Sequence, residues 1–564
     1  MTTNTELLKR AMDWIGQDPD QETRLEIAQL IEGVEKGDES SAAELAERFS
    51  GHLTFGTAGL RAAIAGGPML MNRVVVSHAA YGLGQFLLSR VVGSSPRVVI
   101  GFDARKNSDV FARDTAEILA GMGITPLLFD AATPTPVVAF TLRHLNADAA
   151  VVVTASHNPP ADNGYKVYLG GEDEGSQIVP PADSAIHEAI LKSHENNRAN
   201  SMARDAGAIE QIGDELVQAY KDHTLRLANQ FDSAHRDALR ICYTPMHGVG
   251  ASVLEDLLAS AGFTNLHVVQ AQRDPDPLFS TVAFPNPEEP GALDLAQELA
   301  RDIEADIIVA NDPDADRLAL CLPSRDGSVF QSLSGNEVGV ILASAIARRS
   351  DHSGEGGVLG YSLVSSPITR VIAQHHGLTA VETPTGFKWI SRLPGLIFGF
   401  EEALGYLVNP ETVRDKDGLS AALFALCLAA ELHARGKTLW DALDDVRSEY
   451  GGFASGQISL RFDTPEIAQD LMTRVRRDPA ALFRALDLSS VVDYRTPPQG
   501  QPEADLIRYD TTTGDRIVIR PSGTEPKLKV YLDCLRKDQE DAVVALSELE
   551  KTTRVAIDSL MSSA

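Results

Sequence analysis

Residues 97–129 read RVVIGFDARKNSDVFARDTAEILAGMGITPLLF, and the order of residue types there decides the fold. A β-type run, Val98-Val99-Ile100, passes through a polar loop into a helical stretch. A turn glycine, Gly123, then precedes a second apolar strand. That order predicts a βαβ unit, with parallel strands and a right-handed crossover. The plan recurs in Leu239–Val269, from Ile241-Cys242-Tyr243 through Gly262, and in Gly357–Val381, from Val358-Leu359-Gly360 through Gly377. A spacing of roughly 110–140 residues marks duplicated domains, because solenoid repeats run at about 20–50 residues.

Each copy leads to a further apolar strand that ends in a reactive loop. Ala149–Val153 enters Thr154-Ala155-Ser156-His157-Asn158-Pro159, Asp306–Ala310 enters Asn311-Asp312-Pro313-Asp314-Ala315-Asp316-Arg317, and Leu396–Phe400 enters Glu401-Glu402-Ala403-Leu404-Gly405-Tyr406. Open α/β sheets bind ligands beyond the carboxyl ends of their strands, so three such domains could aim three loops into one cleft. After Gly451 the pattern changes to strand-like Gln457–Phe462, helical Pro465–Arg477, paired strands and a terminal helix near Gln539–Leu560, an α+β arrangement. The expected fold is therefore three similar βαβ-based α/β domains plus a smaller C-terminal α+β domain around a central cleft. The boundaries are placed at 1–205, 206–325, 326–450 and 451–564. Candidate linkers are Lys192–Ala208, Ser350–Gly357 and Thr496–Asp505.

Bulk composition narrows the class. At 564 residues the chain exceeds one core, and 43% hydrophobic with 23% charged residues is ordinary for a soluble globular protein. A net charge of −29 argues against nucleic-acid or anionic-membrane partners, so any phosphate site must be a local island of Arg and Lys. Cys242, Cys321, Cys427 and Cys534 form no C-x-x-C pair, which fits a reducing cytoplasm rather than zinc or a disulfide framework. No signal-peptide pattern opens the chain, and the longest apolar run, Ala421–Ala430, reads as a buried helix.

The four loops carry distinct chemistry. Ser156 offers a hydroxyl, a weak nucleophile until a base or charge field activates it, outside any G-x-S-x-G elbow. Taken alone, Ser-His in a loop is also ordinary turn chemistry. Lys166, a few residues on, could supply a proton or a charge. Asp312, Asp314 and Asp316 repel one another unless a cation neutralises them, and all-oxygen ligands suit Mg²⁺. An EF-hand is excluded, since Arg317 and Pro323 stand where Gly and Glu would be needed. Arg317 can meet a phosphate with a bidentate fork. Glu401 and Glu402 could grip adjacent hydroxyls, although paired glutamates also mark solvated helix starts. Thr385, Lys388 and Lys416 add a hydroxyl and cations. Arg520, Ser522, Gly523, Thr524 and Lys527 could form an anion nest, and equally a hairpin turn. Gly248-Val249-Gly250 mimics a dinucleotide fingerprint but lacks its third glycine and its acid, and no G-x-x-x-x-G-K-[ST] is present.

Together these loops resemble those of the α-D-phosphohexomutases. Thr154–Pro159 is similar to the phosphoserine loop, Asp312–Arg317 to the magnesium loop, Glu401–Glu402 to the sugar loop and Arg520–Lys527 to the phosphate clamp. Gly56–Arg61 is similar to the N-terminal motif whose arginine contacts phosphate. The similarity runs from about Gly56 to the C-terminal domain and is nearest the branch containing phosphoglucomutase-2 and phosphopentomutase. It implies a cytoplasmic phosphosugar mutase acting on small sugar phosphates, as a monomer or homodimer, with Mg²⁺ and glucose 1,6-bisphosphate as intermediate and activator. Ser156 would carry the phosphoryl group and bind Mg²⁺ with Asp312, Asp314 and Asp316. Lys166 or His157 would carry the proton. Arg61, Arg317, Thr385, Lys388, Glu401, Glu402, Lys416 and the Arg520 loop would hold the sugar phosphate. Ala403 stands where hexose-specific relatives usually have serine, which puts the sugar in question among glucose, mannose and a pentose. Two other classes fit the same loops: a metal-dependent phosphomonoesterase, which would release free phosphate, and a non-catalytic sugar-phosphate sensor.

Overall fold

Strand Arg97–Phe102 buries Val98, Val99 and Ile100 completely, as a continuous apolar run does when helices cover both faces of a parallel sheet. The computed structural model describes residues 4–55, 59–350, 356–462, 464–499, 503–521 and 527–562. Its first sheet runs Leu60–Ala63, Asp162–Leu169, Ala149–Val153, Arg97–Phe102, Thr125–Phe129 and Glu210–Ile212 in spatial order, with Ser176–Gln177 added beside Asp162–Leu169. The edge strand Glu210–Ile212 pairs in parallel with Thr125–Phe129, so this sheet continues past the boundary expected at 205.

The same core arrangement appears twice more. Leu266–Val268, Ile241–Thr244 and Ile307–Ala310 lie parallel and are followed by antiparallel Ala319–Pro323. Thr379–Thr383, Val358–Ser362 and Leu396–Glu401 lie parallel and are followed by antiparallel Gly405–Leu407. In all three sheets the reactive loop leaves the strand that flanks the opening strand of the βαβ unit.

Two expected linkers fall only partly on described residues: 351–355 of Ser350–Gly357 and 500–502 of Thr496–Asp505 lie outside them. Helix Gly335–Arg349, before the first of them, is opened by a Ser334/Glu337 capping box, and its Gly339 sits against the Phe400 ring of the third sheet. Helix and sheet therefore belong to one domain. On either side of the second, strands Leu488–Asp493 and Ile507–Thr511 pair antiparallel, so both strands belong to one domain.

The C-terminal domain is a five-stranded antiparallel sheet, ordered Gly452–Arg461, Lys527–Arg536, Arg516–Pro521, Ile507–Thr511 and Leu488–Asp493. Helices Pro465–Arg477 and Gln539–Ser562 pack on it around Met472, Phe483, Tyr509, Val530 and Ile557. At the other end of the chain, helices Asn4–Ile15, Gln21–Glu35 and Glu39–Arg48 share a core of Leu7, Trp14, Ile27, Leu45 and Phe49, which the sequence reading did not separate from the first domain. Asp20 and Asp38 cap the second and third of these helices.

The chain divides into two compact units: 1–229 with 236–330 and 411–424, and 230–235 with 331–410 and 425–564. Segment 411–424 thus joins the unit that carries the Ser156 and Asp312 loops. Residues Ala421–Ala430 are buried in helix Gly418–His433, and among the described residues no helix is long and apolar enough to cross a membrane.

Candidate active site

Ser156 sits in a tightly held loop. Its φ of 52° lies in the left-handed region, uncommon for a residue with a side chain. The Ser156 N–H donates to Thr154 Oγ1 at 2.9 Å, and Thr154 donates in turn to Asp103 at 2.6 Å. Buried Arg105 donates to the carbonyls of Ser156 and Asn158, each at 2.6 Å, and to those of Pro159 at 2.7 Å and Asp162 at 3.1 Å. Its guanidinium pairs with Asp103 at 3.3 Å and lies 4.8 Å above the Phe279 ring. Asp103 and Arg105 were not singled out from sequence, although they follow strand Arg97–Phe102 at its carboxyl end, the position where such sheets place function.

The Ser156 hydroxyl donates to Asp312 Oδ2 at 2.6 Å and lies 3.3 Å from His157 Nδ1. Ligand oxygens of Asp312, Asp314 and Asp316 lie within 4.8 Å of one another, and all three side chains are buried. Lys166 Nζ contacts Asp314 Oδ2 at 2.7 Å and Asp316 Oδ2 at 2.8 Å. Lys416 Nζ lies 3.2 Å from Asp316 Oδ2, and Thr135 Oγ1 donates to Asp314 Oδ2 at 2.6 Å. Thr135 is a third residue that sequence reading missed. Arg317 donates its N–H to Asp312 Oδ1 at 3.0 Å, and its side chain lies 4.0 Å from both Asp312 and Asp316. Arg61 donates to Asn158 Oδ1 at 3.0 Å, which ties it to the serine loop. Gly56, Thr57 and Ala58 of its motif lie outside the described residues.

Burial, then the charges of Asp314 and Asp316, push Asp312 well above the ordinary carboxylate range. Burial would raise Asp316 too, but Lys166, Lys416 and Arg317 outweigh it and hold it low. Lys166 shows the reverse balance: burial opposes its charge, yet Asp314, Asp316 and Asp415 keep it protonated. His157 is driven well below its usual value by burial and by the nearby Arg317 and Arg61 charges, so it is neutral at pH 7. Asp314 Oδ1 and Asp316 Oδ1 are buried with no hydrogen-bond partner. Two orphaned carboxylate oxygens beside Asp312 and a serine hydroxyl are a donor set that fits a hard divalent cation.

The glycines once resembling a dinucleotide fingerprint brace this carboxylate loop. A Cβ on Gly248 would meet Pro313 Cα at 2.5 Å, and Val249 N–H donates to Pro313 O at 2.9 Å. From segment 411–424, Gly418 N–H donates to Ala315 O at 3.2 Å, and a Cβ there would sit 2.1 Å from Arg317 O. Asp415 accepts from Tyr168 at 2.7 Å and from Gln177 at 2.8 Å, which anchors the backbone that presents Lys416.

The remaining candidates belong to the second unit. Glu401 accepts from the N–H of Gly386 at 2.7 Å, so the sugar-type loop and the Thr385–Lys388 turn hold one another. Glu402 accepts instead from Ser362 at 3.2 Å and Ser365 at 3.1 Å. Lys388 is buried, 5.9 Å from the Trp389 ring centroid. Arg520 pairs across strands with Lys529, and Lys527 opens the partner strand. Ser522, Gly523 and Thr524 lie outside the described residues.

Four domain families match in chain order. They are the Phosphoglucomutase/phosphomannomutase alpha/beta/alpha domain I over residues 52–197, domain II over 218–325, domain III over 334–450, and the C-terminal domain over 471–547. A protein named "Probable phosphomannomutase" from Haemophilus influenzae is 46% identical over 487 residues, covering 86% of this chain and 97% of that one. The chain belongs to the phosphoglucomutase/phosphomannomutase family. It is a phosphosugar mutase, an isomerase of the α-D-phosphohexomutase group. Further relatives include a "Probable phosphoribomutase" of Schizosaccharomyces pombe, 33% identical over 96% of each chain, and a "Phosphoglucomutase" of Staphylococcus epidermidis, 32% identical over 85% of this chain and 90% of that one. The fold is shared with a phosphoglucomutase/phosphomannomutase family protein from Burkholderia thailandensis, with a TM-score of 0.67 at 18% identity over 90% of this chain and 97% of that one.

Proposed function

We propose that this mutase interconverts glucose 1-phosphate and glucose 6-phosphate through a phosphorylated Ser156 and a glucose 1,6-bisphosphate intermediate, with Mg²⁺ as its cation. The observation that carries the reading is the 2.6 Å contact between the Ser156 hydroxyl and Asp312, within a carboxylate triad that leaves two oxygens without a hydrogen bond. Asp312, Asp314 and Asp316 would hold the ion with Ser156. When bound it supplies charge neutralisation to the transferring phosphoryl group.

The free hydroxyl of the sugar monophosphate attacks the phosphorus on Ser156. The P–Oγ bond breaks as the new P–O bond forms, the hydroxyl proton passes to a protein base, and the leaving Ser156 Oγ takes up a proton. After the bisphosphate reorients, Ser156 Oγ gives up its proton and attacks the other phosphoryl group, and the sugar oxygen it leaves takes up a proton. Neutral His157 can accept the attacking hydroxyl's proton, and Lys166 is held in a form that can donate one. Arg61 and Arg317 would steady the phosphoryl oxygens. Thr385, Lys388, Glu401, Glu402 and Lys416 would read the sugar, and Arg520, Ser522, Gly523, Thr524 and Lys527 would take the phosphate that is not reacting. We place the enzyme in the cytoplasm, as a monomer or homodimer without nucleic-acid or membrane partners.

A mannose substrate is the second reading, favoured by the name of the 46% identical relative. Ala403, in place of a serine, removes one sugar contact and would loosen the choice. Ser156→Ala should abolish turnover with or without added glucose 1,6-bisphosphate, and normal activity in that variant refutes the mechanism. Side-by-side kcat/KM on glucose, mannose and ribose 1-phosphates tests the sugar, and a mannose preference overturns the glucose assignment alone.

A further inference from the structure

In the second unit, helix Ile368–His375 ends beside helix Leu439–Tyr450, and three side chains meet there. His375 closes the first helix, His376 is its C-cap residue, and Glu449 comes from the last turn of the second. One ligand atom from each lies within 4.8 Å of the other two. His375 Nε2 is 3.3 Å from Glu449 Oε1, and the two imidazole rings are 5.0 Å apart. We propose that His375, His376 and Glu449 form a binding site for a transition-metal dication such as Zn²⁺ or Co²⁺. It is separate from the catalytic triad and independent of the phosphosugar reading.

A helix C-terminus also favours a protonated histidine, and a His–Glu ion pair would be the ordinary account of this contact. The surroundings argue otherwise. Glu449 already has a full counter-charge, because Arg348 Nη2 pairs with its other oxygen, Oε2. That pairing fixes the carboxylate and leaves Oε1 toward His375. The Tyr450 hydroxyl lies 2.8 Å from His376 Nε2 and orients that ring, and Tyr450 packs edge-on against His375 with centroids 5.2 Å apart. Outer partners that aim imidazoles and carboxylates are the usual support of a metal site.

Geometry and accessibility agree with this assignment. Bonds of about 2.0–2.1 Å around a tetrahedral ion separate ligand atoms by about 3.4 Å, so the three groups need to draw in by about 1.4 Å at most. His375 is 51% exposed, so it can swing that far, and an ion can enter. Two imidazoles and one carboxylate favour Zn²⁺, Co²⁺, Ni²⁺ or Cu²⁺ and disfavour Mg²⁺, which seeks oxygen ligands. A bound ion would pin the two helices together without touching Ser156 or the aspartates.

The test is a Co²⁺ titration of the full chain in saturating Mg²⁺, followed by visible absorption and equilibrium dialysis. Wild type should bind one more equivalent than the His375→Ala/His376→Ala double variant, with a visible band that Zn²⁺ displaces. Glu449→Gln, which keeps both imidazoles, should weaken binding by at least about tenfold. Thermal melts without added Co²⁺ establish that the variants are folded, and in saturating Mg²⁺ added Co²⁺ should raise the melting temperature of wild type more than that of the double variant. Equal stoichiometry and equal spectra in wild type and double variant overturn the proposal, whether the ions sit on other histidines, on the triad or nowhere.

Discussion

Replacing Arg105 tests whether the serine loop is held as tightly as its contacts imply. The left-handed Ser156 backbone costs about 1–3 kcal/mol, which only surrounding bonds can offset. Arg105 supplies most of those bonds, through the carbonyls of Ser156, Asn158, Pro159 and Asp162, and it neutralises buried Asp103. Arg105→Met removes one partner of a buried ion pair, a change that typically costs about 3–5 kcal/mol. For a domain of about 150–250 residues this lowers the melting temperature by about 6–20 °C. Arg105→Lys is the sharper probe. It keeps the charge, but a point ammonium cannot reach four carbonyls spread from Ser156 to Asp162. A displacement of about 1 Å at the nucleophile costs about a hundredfold in rate, so kcat on glucose 1-phosphate should fall by about that factor with KM little changed. The assay couples glucose 6-phosphate formation to its oxidation, with Ser156 phosphorylation followed by intact mass. Wild-type kcat and wild-type phosphoserine occupancy in Arg105→Lys would refute the reasoning.

Two further perturbations follow from the same unit. His78 stacks on His194 with centroids 3.7 Å apart, and His52 lies 4.2 Å from His194; burial and these neighbours push His78 down to about 4 and His194 to about 2. Because the folded values lie below the unfolded value of 6.5, the unfolded chain binds more protons under acid. Stability is therefore complete above pH 6.5 and is lost as pH falls toward 4, by about 3 kcal/mol from His78 alone. Urea midpoints taken from pH 7 to 4.5 should fall, and His78→Gln should flatten the slope; an unchanged slope refutes the cause. Gly418→Ala places a methyl 2.1 Å from Arg317 O and should cost about 1–3 kcal/mol and most of the activity, whereas Gly207→Ala, with its nearest neighbour at 3.4 Å, should be silent.

Much of the fold was legible because buried parallel strands read as unbroken apolar runs, as in Ala149–Val153 and Ile307–Ala310, each closed by a loop breaker such as Pro159 or Pro313. Boundaries were less legible. Glu210–Ile212 is a polar edge strand with no apolar signature, and its membership of the first sheet depends on pairing alone. Thr496–Asp505 looks like a linker by its Pro-rich, polar composition, yet the strands on either side of it pair with one another. In the candidate site, Ser156 and the alternating aspartates Asp312, Asp314 and Asp316, which the structure brings together, stood out in the sequence. The residues that hold them did not. Arg105 and Thr135 act through contacts 51 and 179 positions away, to Ser156 and Asp314, and their residue types alone do not distinguish them from other polar residues.

The threefold plan explains why one architecture can serve three chemistries. In every copy the working loop links a buried parallel strand to an antiparallel return: Ala149–Val153 to Asp162–Leu169, Ile307–Ala310 to Ala319–Pro323, and Leu396–Glu401 to Gly405–Leu407. The sheet fixes both ends of the loop, so its residues can change without disturbing the core. What differs is how each loop is braced. The serine loop is braced by a guanidinium on its carbonyls, the aspartate loop by glycines that admit neighbouring backbone, and the glutamate loop by serines and a backbone N–H. Each brace suits the charge it restrains. The serine loop, which would carry the charge of a phosphoserine, is held by a guanidinium on its backbone, whereas the aspartate loop combines backbone packing with the cations Lys166, Lys416 and Arg317 and leaves Asp314 Oδ1 and Asp316 Oδ1 without a hydrogen bond. Duplication supplied the positions, and the bracing set what each could become.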